Sequence, residues 1–159
     1  MTVVVGELAP LFTLPAIEPA GDRFQRTDLS LDEMAGAPVV LVFYPADHSP
    51  VCTVQLQTYS HDIADFADVG ARVLAISPQS VDEHEGFAAE HGLTFPLLAD
   101  EGKKVGEAYG ILGPLGFYRR SVFVVDGEGV VRAAHRYGDG ELPDVEELLD
   151  EAAALNRAS

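Results

Sequence analysis

An unbroken apolar run from Pro38 to Tyr44 (PVVLVFY), rich in β-branched and aromatic residues and stopped by Pro45, predicts a strand covered on both faces. The period then changes. Leu56, Tyr59, Ile63 and Phe66 recur at helical spacing and predict an amphipathic helix from about Cys52 to about Asp68, before Gly70. Arg72 to Ser77 (RVLAIS) reads as the next strand. Ser80 and Glu83 form a capping-box pair, which predicts a helix from about Val81 to Glu90 that closes near Gly92. Phe95 to Leu98 predicts a short strand and Lys103 to Tyr109 a short helix, followed by a Gly- and Pro-rich loop from Gly110 to Gly116. Ser121 to Val125 and Val130 to His135 read as strands joined by the turn residues Asp126 to Gly129 (DGEG). A last apolar stripe, Val145, Leu148, Leu149, Ala152 and Leu155, predicts a closing helix with Pro143 at its start.

The predicted order is therefore β-α-β-α-β-α-β-β-α. Alternating strands and helices imply a layered α/β domain, and the final antiparallel hairpin makes the sheet mixed, as in a thioredoxin-like architecture. No repeat, low-complexity block or linker interrupts the 159 residues, so 1–159 reads as one domain. A formal net charge of −16 repels phosphate backbones and anionic headgroups, so neither nucleic acid nor a membrane surface is an expected partner. No apolar run approaches the ~20 residues that span a bilayer. No Lys or Arg precedes Arg23, and no apolar signal-type segment is present. A lone cysteine suits a reducing compartment, and the expected location is the cytoplasm.

That cysteine, Cys52, falls where strand gives way to helix. Its sulfur is expected beside free N–H groups and the positive end of the helix dipole, which stabilise a thiolate. Isolated cysteines often do no more than pack. The neighbours argue for more, because Pro45, Ser49 and Cys52 form Pro-x-x-x-Ser-x-x-Cys directly after the central strand. This resembles the hallmark of the peroxiredoxins, Pro-x-x-x-Thr/Ser-x-x-Cys at the start of a helix. The opening GELAPLFTLP is similar to their entry segment, and RRSVFVVDGEG resembles their arginine strand in a register that selects Arg120. Arg119 would point to the opposite face. The resemblance runs from about Gly6 to Tyr137. FYPADHSPVCT is most similar to the bacterioferritin-comigratory or Q-type branch, with Val51 in place of its usual Gly and Gln55 in place of its usual Glu. Gln57 stands where many members of that branch carry a resolving cysteine.

The resemblance implies a thioredoxin-like fold with a mixed central sheet flanked by helices and an N-terminal extension. It also implies a thiol-dependent peroxidase that reduces hydrogen peroxide, organic hydroperoxides or both through a Cys52 sulfenic acid. Ionisation of the thiol is a minor part of such chemistry. Lowering its pKa from about 8.5 to about 6 raises the thiolate fraction at pH 7 roughly thirtyfold. A Brønsted slope near 0.45 takes back roughly tenfold of that in nucleophilicity. Donors aimed at the leaving oxygen must supply the rest. The candidates are Arg120, the Ser49 hydroxyl and the backbone N–H groups of Val51 and Cys52, with Pro45 shielding the sulfur. With no resolving cysteine, the implied reductant is an external thiol: thioredoxin, a glutaredoxin-like protein or a low-molecular-weight thiol. No metal or cofactor is expected, and monomer and homodimer both remain open.

Gln55 reads either as a neighbour of Arg120 or as a surface helix residue, and a contribution from His48 is left open. A thiol-disulfide oxidoreductase needs Cys-x-x-Cys and a glutathione-peroxidase-like site needs a tryptophan, neither of which the sequence has. His48, Cys52 and His61 would offer a metal only three ligands, and ordinary polar histidines are the simpler reading. The remaining alternative is a peroxide-sensing binding module that relays oxidation to a partner without efficient turnover.

Overall fold

The computed structural model of the chain describes residues 3–47, 50–137, 141–142 and 144–158. It opens with a hairpin of β1 (Thr13–Ala20) and β2 (Arg23–Ser30), paired from Thr13↔Ser30 to Ala20↔Arg23. A 3-10 turn over Leu31–Met34 leads to β3 (Val39–Phe43), α1 (Pro50–His61), α2 (Ile63–Asp68) and β4 (Arg72–Ser77). The chain continues through α3 (Val81–His91), β5 (Leu97–Ala99), α4 (Lys104–Ala108), β6 (Ser121–Val125), β7 (Val131–Arg136) and α5 (Val145–Ala158).

All the strands join one seven-stranded sheet of order β2-β1-β5-β4-β3-β6-β7. β3, β4 and β5 run parallel, whereas β1, β6 and β7 add antiparallel pairs. The result is the mixed, helix-flanked thioredoxin-like sheet. Alternation along β3 divides the core in two. Val40, Val42 and Tyr44 face Cys52, Leu56 and Tyr59 of α1, Phe66 of α2, Phe87 of α3 and Leu148 of α5. Val39, Leu41 and Phe43 face Phe12, Leu31, Met34 and the α4 side, including Tyr109. With both faces covered, every residue of β3 is buried, which is why it reads as a continuous apolar run.

Two expectations are corrected. The β1–β2 hairpin, absent from the predicted order, is full length, with Gly21 at φ 70° in its turn. Pro15 and Pro19 disguise β1 as a non-strand, and β2 is a largely exposed edge strand without apolar alternation. The single helix expected to run to Asp68 is two helices, broken at Asp62. There the Asp62 N–H lies within reach of both the Thr58 and Tyr59 carbonyls, at 3.2 and 3.1 Å, a local 3-10-like tightening. The other boundaries agree to within a residue or two; Pro143 lies outside the described residues. Ser80 does cap α3, accepting from the Glu83 N–H at 3.2 Å, and Gly92 ends it in the left-handed conformation.

Tyr44, Tyr59, Tyr109 and Tyr118 are all buried, and burial is the largest cause holding each phenol above its ordinary range. The folded pKa lies above the unfolded value of about 10, so these groups contribute stability that is fully present below pH ~10 and lost above it. Each is expected to cost roughly 1.4 kcal/mol per pH unit in that range. Urea midpoints should therefore fall from pH 9 to pH 11, with phenolate absorbance appearing only together with unfolding. Phenolate that titrates near pH 10 in the intact fold would contradict this.

Candidate active site

The site forms where β3 ends and α1 begins. Pro50 is the first residue of α1, where its missing N–H costs nothing, and Val51 and Cys52 follow. The N–H groups of Val51 and Cys52 lie in the first turn, where no intrahelical carbonyl accepts from them, which makes them candidate donors to a ligand or an oxyanion. Cys52 itself is turned into the core, at 0% exposure, beside Tyr44, Leu56 and Tyr59. Cys52, Gln55, Leu56 and Tyr59 make up one helical stripe, which carries the sulfur towards the sheet.

From the sheet side comes Arg120, the residue before β6. Val122 and Val124 share the Cys52 face of the core while Phe123 and Val125 occupy the other, so alternation sends Arg120 towards the sulfur. Its Nη2 donates to Cys52 Sγ at 3.3 Å, and its Nη1 donates to Gln55 Oε1. Arg119 turns outward, with Nε donating to the Tyr137 carbonyl at 3.3 Å. Arg120 is only 7% exposed and Gln55 2% exposed, so Gln55 is a buried neighbour of Arg120 rather than a surface residue. Its spacing, three after Cys52 and four before Tyr59, places it at the edge of their stripe.

A second buried group anchors the turn before α1. Tyr44 Oη donates to Asp47 Oδ1 at 2.6 Å, and His84 Nδ1 lies 2.8 Å from Asp47 Oδ2. His84 Nε2 lies 3.0 Å from the Leu98 carbonyl, which can only accept, so Nε2 carries a hydrogen. The Asp47 N–H donates to Gln79 Oε1 at 3.2 Å. Burial first, and then the charge of Asp47, hold the Tyr44 phenol well above its usual range, with Cys52 contributing in the same direction. The sequence reading singled out neither Asp47 nor His84. His84 shares the buried α3 face with Phe87 and Ala88, which is the pattern that could have revealed it.

Pro45 is half-buried just beyond β3. Ser49 and His48 lie outside the described residues. His61 is exposed at the far end of α1 from Cys52. The loop from Ile111 to Tyr118 is held to the α4 side, where Tyr118 donates to Asp100 and Lys103 Nζ donates to the Gly116 carbonyl at 2.9 Å. On β7 and α5, His135, Glu147 and Glu151 bring donor atoms within 4.8 Å of one another, with His135 Nε2 2.8 Å from Glu151 Oε1. This contact ties the last helix to the edge strand.

Comparison with known proteins places these residues in context. A family model described as the AhpC/TSA family matches residues 5–134. The chain is 36% identical over 140 residues to the "Putative peroxiredoxin bcp" of Coxiella burnetii, covering 84% of this chain and 88% of that protein. It is 37% identical over 135 residues to the chloroplastic peroxiredoxin Q of Sedum lineare, covering 84% of this chain and 69% of that one. Among solved structures, Mycobacterium tuberculosis AhpC superposes with a TM-score of 0.87 at 26% identity, covering 100% of this chain and 96% of that one. The reduced 2-Cys peroxiredoxin of Plasmodium vivax shares the fold at a TM-score of 0.87, with 23% identity and 97% of each chain covered.

Proposed function

The chain belongs to the AhpC/TSA family and is a thiol-dependent peroxidase of the peroxiredoxin kind, and from that premise we propose that Cys52 reduces hydroperoxides by a one-cysteine cycle. The contact between Arg120 Nη2 and Cys52 Sγ at 3.3 Å, inside a buried site, is the observation that carries this reading. The Cys52 thiolate attacks the terminal oxygen of ROOH. An S–O bond forms as the O–O bond breaks, leaving the sulfenic acid Cys52–SOH and an alkoxide or hydroxide that takes a proton to leave as ROH or water.

Arg120 and the N–H groups of Val51 and Cys52 are the donors for the charge that builds on the departing oxygen. Ser49 is the proposed hydroxyl donor and Pro45 the residue that keeps bulk water from the sulfur. With no second cysteine among the 159 residues, an external thiol condenses with Cys52–SOH. Water leaves, a mixed disulfide forms, and a second thiol releases Cys52. Since Cys52 is buried, this step requires the first turn of α1 to move, whereas a small peroxide needs much less room. Thioredoxin, a glutaredoxin-like protein and a low-molecular-weight thiol all fit such a scheme, which suits a reducing compartment such as the cytoplasm.

The test mixes prereduced protein with one equivalent of hydrogen peroxide in a stopped-flow instrument, with Cys52→Ser as control and intact-mass detection of one added oxygen. Consumption that is much faster than with a small free thiol, and absent in Cys52→Ser, is the expected result. A rate no better than that of a free thiol would overturn the reading. Fast oxidation that no thiol reductant turns over would favour a peroxide sensor instead.

A further inference from the structure

The edge strand β7 and the last helix bring three metal-ligating side chains together that the peroxide chemistry does not use. Alternation along β7 turns Ala133, His135 and, just beyond the strand, Tyr137 towards α5, and Ala133 and Tyr137 pack on the same core as Leu148 and Ala152 of that helix. Glu147 and Glu151 are four residues apart, so their carboxylates share one side of α5, each beside a buried residue that seats the helix, Leu148 or Ala152. One donor atom from each of His135, Glu147 and Glu151 lies within 4.8 Å of the other two. His135 Nε2 is 2.8 and 3.1 Å from the two Glu151 oxygens, and its ring is stacked with that of Tyr137 at 23°, with centroids 6.2 Å apart. The imidazole nitrogen is therefore already turned to the carboxylates.

A hydrogen bond between His135 and Glu151 accounts for two of these groups and leaves the third unexplained. Like charges four apart on a helix repel, and nothing nearby in the sequence offsets them: no Lys or Arg occurs between Arg136 and Arg157. Burial first, and then the charges of Glu147, Glu151, Glu141 and Asp144, hold the Tyr137 phenol above its usual range, so a negative field converges on the ring that backs His135. We propose that His135, Glu147 and Glu151 form a binding site for a divalent transition-metal ion of the zinc class. One imidazole nitrogen and two carboxylate oxygens are donors that zinc takes, and three protein ligands leave a position for water. The nitrogen disfavours Mg²⁺ and Ca²⁺, which take oxygen. Metal–ligand bonds of ~2.0–2.2 Å set tetrahedral donors ~3.4 Å apart, and the exposed Glu147 side chain rotates to close the remaining gap. On binding, the Nε2 proton passes to solvent and the ion takes its place between the ring and Glu151. Three coordinate bonds then join β7 to α5, which stabilises the fold.

The test uses the full chain carrying Cys52→Ser, which removes the one thiol that competes for zinc and makes the result independent of the peroxidase reading. Chelator-treated protein is titrated with ZnCl₂ by calorimetry, with MgCl₂ for comparison, and thermal midpoints are recorded in both. One equivalent of Zn²⁺ is expected to bind and to raise the midpoint by roughly 5–10 °C at a hundredfold excess over Kd, whereas Mg²⁺ at the same concentration leaves it in place. His135→Gln and Glu147→Gln are each expected to weaken Zn²⁺ binding about tenfold or more, since even the partners of metal ligands are worth about 10–100-fold. Glu146→Gln removes the same charge from the next exposed position and is expected to change the affinity by less than about threefold. Glu147 is itself exposed, so its variant decides the matter should His135→Gln fail to fold. No Zn²⁺ binding, or an affinity that Glu147→Gln leaves unchanged, would reduce the cluster to the His135–Glu151 contact and overturn the site. An equal effect of Mg²⁺, or equal losses from Glu146→Gln and Glu147→Gln, would also overturn it by showing a diffuse acidic surface.

Discussion

Arg120→Met is expected to slow the reaction of Cys52 with hydrogen peroxide by about 10²- to 10³-fold, the cost typical of losing one preorganised donor to a developing oxyanion. Position contributes to this effect as well as charge. Arg120 reaches the sulfur from the sheet at 3.3 Å, is almost fully buried, and is fixed by Gln55, so it needs no reorganisation as the O–O bond lengthens. Methionine keeps much of the apolar stem but donates nothing. Stability should change little or even rise, because the replacement removes a buried cation that has no carboxylate partner among the described residues. Arg119→Met is the matched control: that side chain faces away from the sulfur and donates to the Tyr137 carbonyl, so its peroxide rate should stay at the wild-type level. Single-turnover stopped-flow rates and urea midpoints for both variants test the pair. An Arg120→Met rate within about threefold of wild type would mean that backbone donors at the start of α1 carry the transition state alone.

The separation of Arg119 from Arg120 was legible in the sequence because a strand alternates without exception over so short a stretch. The same is true of β3, whose unbroken apolar run follows from two covered faces, and of α3, whose Ser80 cap and Gly92 exit are local chemistry. What the sequence hides is set by contacts between distant segments. β1 contains two prolines and β2 is polar, and the hairpin is recognisable only once Ala16 and Ile17 are seen to pair with Leu98 and Leu97 of β5. The break at Asp62 has no Pro or Gly to announce it. Gln55 was ambiguous because helical spacing places it on the edge of the apolar stripe, and only Arg120, coming from the other side of the core, decides which way it faces. Asp47 and His84 are 37 positions apart, and each alone reads as an ordinary polar residue.

His84→Ala is expected to lower the unfolding free energy by about 3–5 kcal/mol, the range for removing one partner of a buried charged pair. Both side chains of the pair are fully buried, so the loss cannot be made good by water. Removing the imidazole leaves Asp47 Oδ2 without its nitrogen partner and the Leu98 carbonyl without the ring N–H. It also disconnects three elements at once: the turn that leads into α1, the buried face of α3 and strand β5. Tyr44 would still donate to Asp47, but a single hydrogen bond does not compensate a carboxylate in the core. Because that turn carries the chain from Pro45 to Cys52, the peroxide rate should fall along with stability. The double variant Asp47→Asn/His84→Ala separates the causes. Its asparagine carries no charge to strand, so it should be less destabilised than His84→Ala alone, by an amount read directly from urea unfolding of the two proteins. If His84→Ala cost less than about 1 kcal/mol, or the double variant were the weaker of the two, the pair would be a packing contact rather than the clamp that fixes the active-site turn.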